Sequence, residues 1–210
     1  MRIRPASFTV AILIVLSSPA WAGSEIQEAK ATVVESPFDK GRDEFQIGVG
    51  AFSSVSPTTL KRPGFTDVDL ALRFGKMLNT PEGDGILRGN CEFLIEAYGA
   101  AIVEGPGNVY AGLSLMLRYN FVQPEARLVP YFQIQAGGVY DDVYHSEPQR
   151  VFGAAFEFDL GAGLGMRYLF NPRCAAFLEF DYRHVSNADT ASRNLGLNAL
   201  GGLLGASFFF

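Results

Sequence analysis

From residue 45 to the carboxy terminus, apolar side chains alternate with polar or small ones in eight segments, which are separated by clusters of Gly, Pro, Asn and Asp. A period of two residues places the apolar side chains on one face of a β-strand. The second segment shows this clearly, because its apolar face comprises Val68, Leu70, Leu72 and Phe74. The pattern therefore predicts an all-β chain of eight antiparallel strands.

The alternation fits both a soluble sandwich and a small membrane barrel, which differ in whether the apolar face points inward or outward. Three features favour the barrel: a secretion signal, a last strand that ends in three phenylalanines, and glycines with opposite charges on the polar face. Eight strands enclose only enough space for side chains. We therefore predict an eight-stranded antiparallel up-and-down transmembrane β-barrel whose lumen pairs acids with arginines. The expected network comprises Glu92, Glu96, Glu157, Asp159, Glu179 and Asp181 with Arg73, Arg118, Arg167 and Arg183.

The first 22 residues have the features of a secretory signal peptide: Arg2 and Arg4, an apolar stretch over 8–16, and a small-residue cleavage site. The next residues are polar and have no regular period, which is typical of a leader segment. The expected organisation is a signal peptide at 1–22, a periplasmic leader at 23–44 and a barrel at 45–210. The expected location is the bacterial outer membrane, with the barrel-assembly machinery as an insertion partner.

Charge and residue usage exclude several classes of function. Without the signal, 15 basic and 22 acidic residues give a net charge of −7, which disfavours nucleic acid as a partner. The only histidines are His145 and His184, and no glycine-rich phosphate loop follows a strand, so neither a metal nor a cofactor is expected. Cys91 and Cys174 fall on different predicted strands, too far apart for a disulfide.

The seventh segment ends with two polar residues on its apolar face, His184 and Ser186. Short connections mark the periplasmic end of such barrels and longer ones the outer end, so this segment is expected to end at the outer surface. Neighbours two residues apart on one face lie about 6 to 7 Å apart at their Cα atoms, a span that side chains can bridge. An imidazole beside a hydroxyl can act as a general base that activates a nucleophile. The alternative is a polar strand end at the level of the lipid headgroups.

The residues around this pair carry a family resemblance. The motif is His184-Val185-Ser186-Asn187-Ala188, followed by Asn194-Leu195-Gly196-Leu197-Asn198 and an aromatic carboxy terminus. It resembles the lipid A 3-O-deacylase family of the PagL type. The resemblance implies that His184 is the general base, that Ser186 is the nucleophile and that Asn187 assists the oxyanion.

One position departs from the family pattern. The family has a glutamate on the last strand that orients the histidine, and the matching residue here is Asn198. An amide oxygen can accept a hydrogen bond from an imidazole N–H but cannot stabilise the imidazolium as a carboxylate does. Asp189 is an alternative carboxylate if the loop folds back towards His184.

The expected function is therefore an esterase that removes an ester-linked acyl chain, at the 3-O position, from lipid A. Lipopolysaccharide is the expected substrate, and a homodimer is a possible assembly. The competing expectation is a non-enzymatic structural or adhesive outer-membrane barrel with a degenerate site. That alternative explains the fold equally well but not the motif at the outer end of the seventh strand.

Overall fold

A computed structural model describes residues 36–55 and 62–210, so the expected signal peptide and most of the expected leader lie outside the described residues. Eight strands form a closed barrel in which each strand pairs antiparallel with its chain neighbours and β1 pairs with β8. The strands are β1 Asp43–Ser54, β2 Thr66–Met77, β3 Asn90–Glu104, β4 Val109–Asn120, β5 Leu128–Asp141, β6 Phe156–Asn171, β7 Cys174–Ser186 and β8 Leu197–Phe209. The predicted fold is confirmed.

The apolar face of the strands points outward and the polar face inward, the reverse of a soluble core. The four apolar residues of β2 that carried the pattern, Val68, Leu70, Leu72 and Phe74, are all exposed on the outside. Arg73, between two of them in the sequence, is 3% exposed. This inversion is typical of a protein whose outer surface contacts lipid. No helix in the described residues is long and apolar enough to cross a membrane.

The middle of the lumen contains the predicted network of charges. Glu179 accepts hydrogen bonds from Arg73 at 2.7 and 2.8 Å, from Arg118 at 3.2 Å and from the Tyr131 hydroxyl at 2.6 Å. Arg167 pairs with Glu92 at 3.0 Å. Three of the expected acids are held by neutral donors instead. Asp159 accepts from the Tyr98 hydroxyl, Asp181 from the Gln133 amide, and Glu157 from the backbone N–H groups of Gly153 and Ala154.

The leader and barrel meet at a different residue from the expected one. Strand β1 begins at Asp43, two residues before the boundary expected at 45. Glu44 is fully buried in the lumen and pairs with Arg167. Phe38, which lies earlier in the expected leader, is 1% exposed and packs against Met77 and Phe209 at one end of the barrel. The last residues of the expected leader therefore belong to the folded barrel.

Connection lengths distinguish the two ends of the barrel. The short connections 121–127 and 172–173 lie at the same end as Phe38, which is therefore the periplasmic end. The opposite end carries 142–155 and 187–196, so β7 finishes at the outer surface. Two connections depart from the rule of short periplasmic turns and long outer loops. Residues 105–108 make a short outer turn, and 78–89 form a longer periplasmic one that contains the 3₁₀ helix Gly85–Leu87.

Candidate functional site

The candidate site lies where β7 and β8 run side by side near their outer ends. In the register of this pair, His184 is directly opposite Asn198, and Tyr182 is opposite Leu200. His184, Ser186 and Asn198 are half-buried on the lipid-facing side of the sheet. Strand pairing thus brings together three of the residues that the motif singled out, although ten or more positions separate Asn198 from the other two in the chain.

These three side chains form a continuous hydrogen-bonded series. The Nδ1 atom of His184 lies 2.8 Å from the Oδ1 atom of Asn198, and its Nε2 atom lies 3.1 Å from the Oγ atom of Ser186. Because an amide oxygen can only accept, Nδ1 carries the proton in this arrangement. The Nε2 lone pair is then directed at the Ser186 hydroxyl. This is the geometry in which an imidazole can take a proton from a serine nucleophile.

Two residues that the sequence reasoning did not single out complete the surroundings. The Tyr182 hydroxyl donates to the same Asn198 oxygen at 2.6 Å. Gly196, in the loop before β8, has a φ of +66°, and a Cβ atom added there would lie 3.2 Å from Cε1 of His184. Tyr182 was visible as an outward-facing residue of the seventh segment, and Gly196 lay within the second half of the motif. Their contacts depend on strand register and loop conformation.

Asn187 is not brought together with the other predicted site residues. Its side chain is fully buried, on the opposite face of the chain from Ser186. Its amide nitrogen donates to the Arg193 carbonyl at 2.8 Å and to Glu157 at 3.3 Å. Its backbone N–H donates to the side-chain oxygen of Asn194 at 2.9 Å. All of these donors are engaged away from Ser186, so Asn187 connects β7 to the following loop in this structure rather than facing the space beside the nucleophile.

Asp189 is also placed away from His184. It is exposed, and its carboxylate accepts a hydrogen bond from the Asn194 amide at 2.8 Å. Ala188 and Asp189 both have positive φ values, 52° and 64°, and the Thr190 N–H donates to the Asn187 carbonyl. These features define a tight turn directly after the strand. The loop therefore does not fold Asp189 back to the imidazole, whose Nδ1 partner is Asn198.

Apolar side chains flank the site on the membrane side. In the register between β6 and β7, Phe158 lies opposite Ser186 and Leu160 opposite His184, and both are exposed. Within the described residues, no three His, Cys, Asp or Glu side chains are grouped closely enough to hold a metal ion. Cys91 and Cys174 lie on β3 and β7 with free thiols.

Comparison with known proteins assigns the chain to a family. Two solved structures share the barrel: Neisserial surface protein A (13% identity, 81% of this chain and 98% of that one, TM-score 0.54) and the outer-membrane enzyme PagL (15% identity, 77% and 97%, TM-score 0.51). At such identities they establish the fold alone. A search of curated proteins found no match. Residues 66–207, which include all of the candidate site, match the family described as lipid A 3-O-deacylase (PagL). The chain therefore belongs to the lipid A 3-O-deacylase (PagL) family, and it is a β-barrel of the bacterial outer membrane.

Proposed function

We propose that this protein is an esterase that removes an ester-linked acyl chain from lipid A by a serine–histidine mechanism. The observation that carries the proposal is the hydrogen-bonded series from Asn198 through His184 to Ser186, on the lipid-facing side at the outer end of β7. Family membership supports lipid A as the substrate and the 3-O position as the ester that is cleaved.

The proposed reaction has two steps. Oγ of Ser186 attacks the ester carbonyl carbon while Nε2 of His184 takes the hydroxyl proton. The tetrahedral intermediate collapses, the bond to the sugar oxygen breaks, and the imidazolium returns the proton to that oxygen. Water then attacks the acyl-serine with His184 as the base, which releases a fatty acid and restores Ser186. During both steps the oxygen of Asn198 holds Nδ1–H and so keeps the imidazole in the productive tautomer.

The position of the site supports a substrate that is already in the membrane. Ser186 is the last residue of β7, and below His184 and Tyr182 the lipid-facing residues of this strand, Phe180 and Leu178, are apolar. A lipid of the outer leaflet can therefore present its ester at the headgroup boundary without leaving the bilayer, its acyl chains lying against Phe158 and Leu160. A soluble ester would gain little from this surface.

The test is lipid A deacylation by purified protein in detergent, with mass spectrometry of the product. Ser186→Ala and His184→Ala should each lower the rate by about 10³-fold or more, because removing either member of such a pair disables the unit. Both variants should still migrate as compact barrels on an unheated gel, since neither side chain packs in the lumen. Ser53→Ala, an exposed serine near the outer end of β1, and His145→Ala, the other histidine, are matched controls that should retain full activity.

The same experiment separates the esterase from a non-enzymatic barrel. If the parent protein and Ser186→Ala release equal amounts of fatty acid from lipid A, the proposal fails and a structural or adhesive role is the better interpretation. If the mass spectrum shows that a different acyl chain is removed, the mechanism is retained and the 3-O position of cleavage is corrected.

A further inference from the structure

Asn198 raises a chemical problem that a carboxylate would not. A carboxylate presents an acceptor oxygen to the imidazole in either orientation, whereas an amide presents oxygen in one orientation and NH₂ in the other. If the NH₂ group faced His184, Nδ1 would have to accept and Nε2 would carry the proton. The imidazole would then donate to Ser186 and could not deprotonate it. Something must favour the productive orientation of the amide.

We propose that Tyr182 is the positioning residue that orients the Asn198 amide and thereby sets the tautomer of His184. This inference deepens the proposed function and rests on it for its catalytic consequence. The contact that carries it is the hydrogen bond of 2.6 Å from the Tyr182 hydroxyl to Oδ1 of Asn198, the same oxygen that accepts from Nδ1 of His184. The two donors use the two lone pairs of one oxygen.

Strand geometry explains how Tyr182 reaches this oxygen. His184 is directly opposite Asn198, so Tyr182, two residues earlier in β7 and on the same face, is the diagonal neighbour of Asn198. Diagonal neighbours across antiparallel strands lie about 7 to 8 Å apart, within reach of an aromatic side chain but not of a short one. Phenylalanine would fill the same space and lack the donor.

The direction of the hydrogen bond gives the selectivity. The lone pairs of a phenol are partly delocalised into the ring, so its hydroxyl donates more readily than it accepts. With the amide oxygen towards Tyr182, the hydroxyl proton has an acceptor. With the NH₂ group of Asn198 towards Tyr182, the hydroxyl proton would have no acceptor. On a surface that faces lipid, such an unsatisfied donor is costly. Tyr182 therefore favours the oxygen-facing orientation, and His184 follows it.

The kinetic test is a double-mutant cycle with an isosteric carboxylate. Tyr182→Phe should lower kcat for lipid A about tenfold, with KM within about twofold. The lost hydrogen bond no longer favours the productive orientation of the Asn198 amide, so a smaller fraction of His184 is in the productive tautomer. In the Asn198→Asp background the same change should lower kcat less than about twofold, since a carboxylate needs no orientation. Tyr168→Phe, an exposed tyrosine on β6 away from the site, is the control and should leave kcat unchanged.

A second measurement does not depend on activity. The sequence contains two histidines, His145 and His184, so His145→Gln leaves one histidine for ¹⁵N ring labelling. Nuclear magnetic resonance in detergent should show the Nδ1–H tautomer, and Tyr182→Phe should add a fraction of the Nε2–H tautomer. Equal losses of kcat in both backgrounds, or an unchanged tautomer, would overturn the inference and leave Tyr182 as packing alone. A tautomer shift in a protein that never deacylates lipid A would retain the inference and refute the proposed function.

Discussion

Asn198 lies at the position where the family resemblance implies a glutamate, yet the hydrogen bond to His184 is present at 2.8 Å. What the amide lacks is charge, not position. In a serine protease triad the corresponding loss costs about 10⁴ in rate, mainly because the histidine adopts the wrong tautomer. Here the oxygen of Asn198 faces Nδ1 and so favours the productive tautomer, and the remaining deficit should be the smaller electrostatic part.

Restoring the charge should therefore raise activity moderately. We expect Asn198→Asp to increase kcat about tenfold to a hundredfold, because the new carboxylate stabilises the imidazolium that forms during attack. Aspartate keeps the length of the side chain, whereas glutamate would have to displace contacts of 2.6 and 2.8 Å. The measurement is lipid A deacylation beside Asp189→Asn, which should change little, since Asp189 bonds to Asn194 rather than to His184. A damaging Asp189→Asn together with a silent Asn198→Asp would show that the loop carboxylate supports the base instead.

At the scale of elements, alternation predicted which side chains share a face, whereas the secretion signal, the aromatic end of the last strand and the charges on the polar face predicted that the apolar face contacts lipid. Alternation assigned His184, Ser186 and Asn198 to one face, and the structure places them there. The same parity places Asn187 on the other face, where its side chain is buried, and the oxyanion role that the resemblance implies stays a prediction. The bond between Tyr182 and Asn198 could not be predicted, because it requires the register of β7 against β8. Phe38 was missed because it is the one large apolar residue in the polar stretch 35–44.

The loop between β7 and β8 affects the site through Gly196. Its φ of +66° disfavours any residue with a Cβ, and that atom would lie 3.1 Å from the Val185 carbonyl and 3.2 Å from Cε1 of His184. We expect Gly196→Ala to lower kcat about tenfold or more by displacing the imidazole, since a small misplacement of a catalytic group can cost about 10² in rate.

Gly85 provides a matched control for this substitution. It has a similar φ of +60°, but an added Cβ would meet nothing within 4 Å, and it lies in the periplasmic turn. Gly85→Ala should therefore introduce comparable backbone strain, about 1 kcal/mol, while leaving deacylation unchanged. Equal activities of the two variants would mean that contact with His184 at position 196 is unimportant.

At the scale of the whole molecule, the residues that stabilise the barrel and the residues of the candidate site lie on opposite faces of the same sheet. The charges that fill the lumen are fully enclosed by strands, whereas the candidate site lies on the outer surface of the same sheet. Arg73, Arg118 and the Tyr131 hydroxyl converge on Glu179, whose side chain is fully buried. A buried charge that loses its partner is strongly destabilising, while an exposed ion pair contributes little.

Removing Glu179 should therefore weaken the barrel without altering the reaction of the molecules that remain folded. We expect Glu179→Ala to lower the free energy of unfolding by about 3 to 5 kcal/mol, because two buried guanidinium groups lose a shared carboxylate. Lys76→Ala breaks the partly exposed pair of Lys76 with Asp43, 2.6 Å apart, and should cost less than about 1 kcal/mol. Urea unfolding in detergent, followed by the shift between compact and unfolded forms on gels, measures both.

The deacylation rate per folded molecule should match the parent in each variant, because neither Glu179 nor Lys76 contacts His184 or Ser186. A loss of rate per folded molecule in Glu179→Ala alone would show that the lumen network also controls the outer site, and equal stabilities of the two variants would show that the enclosed carboxylate contributes no more than a surface pair.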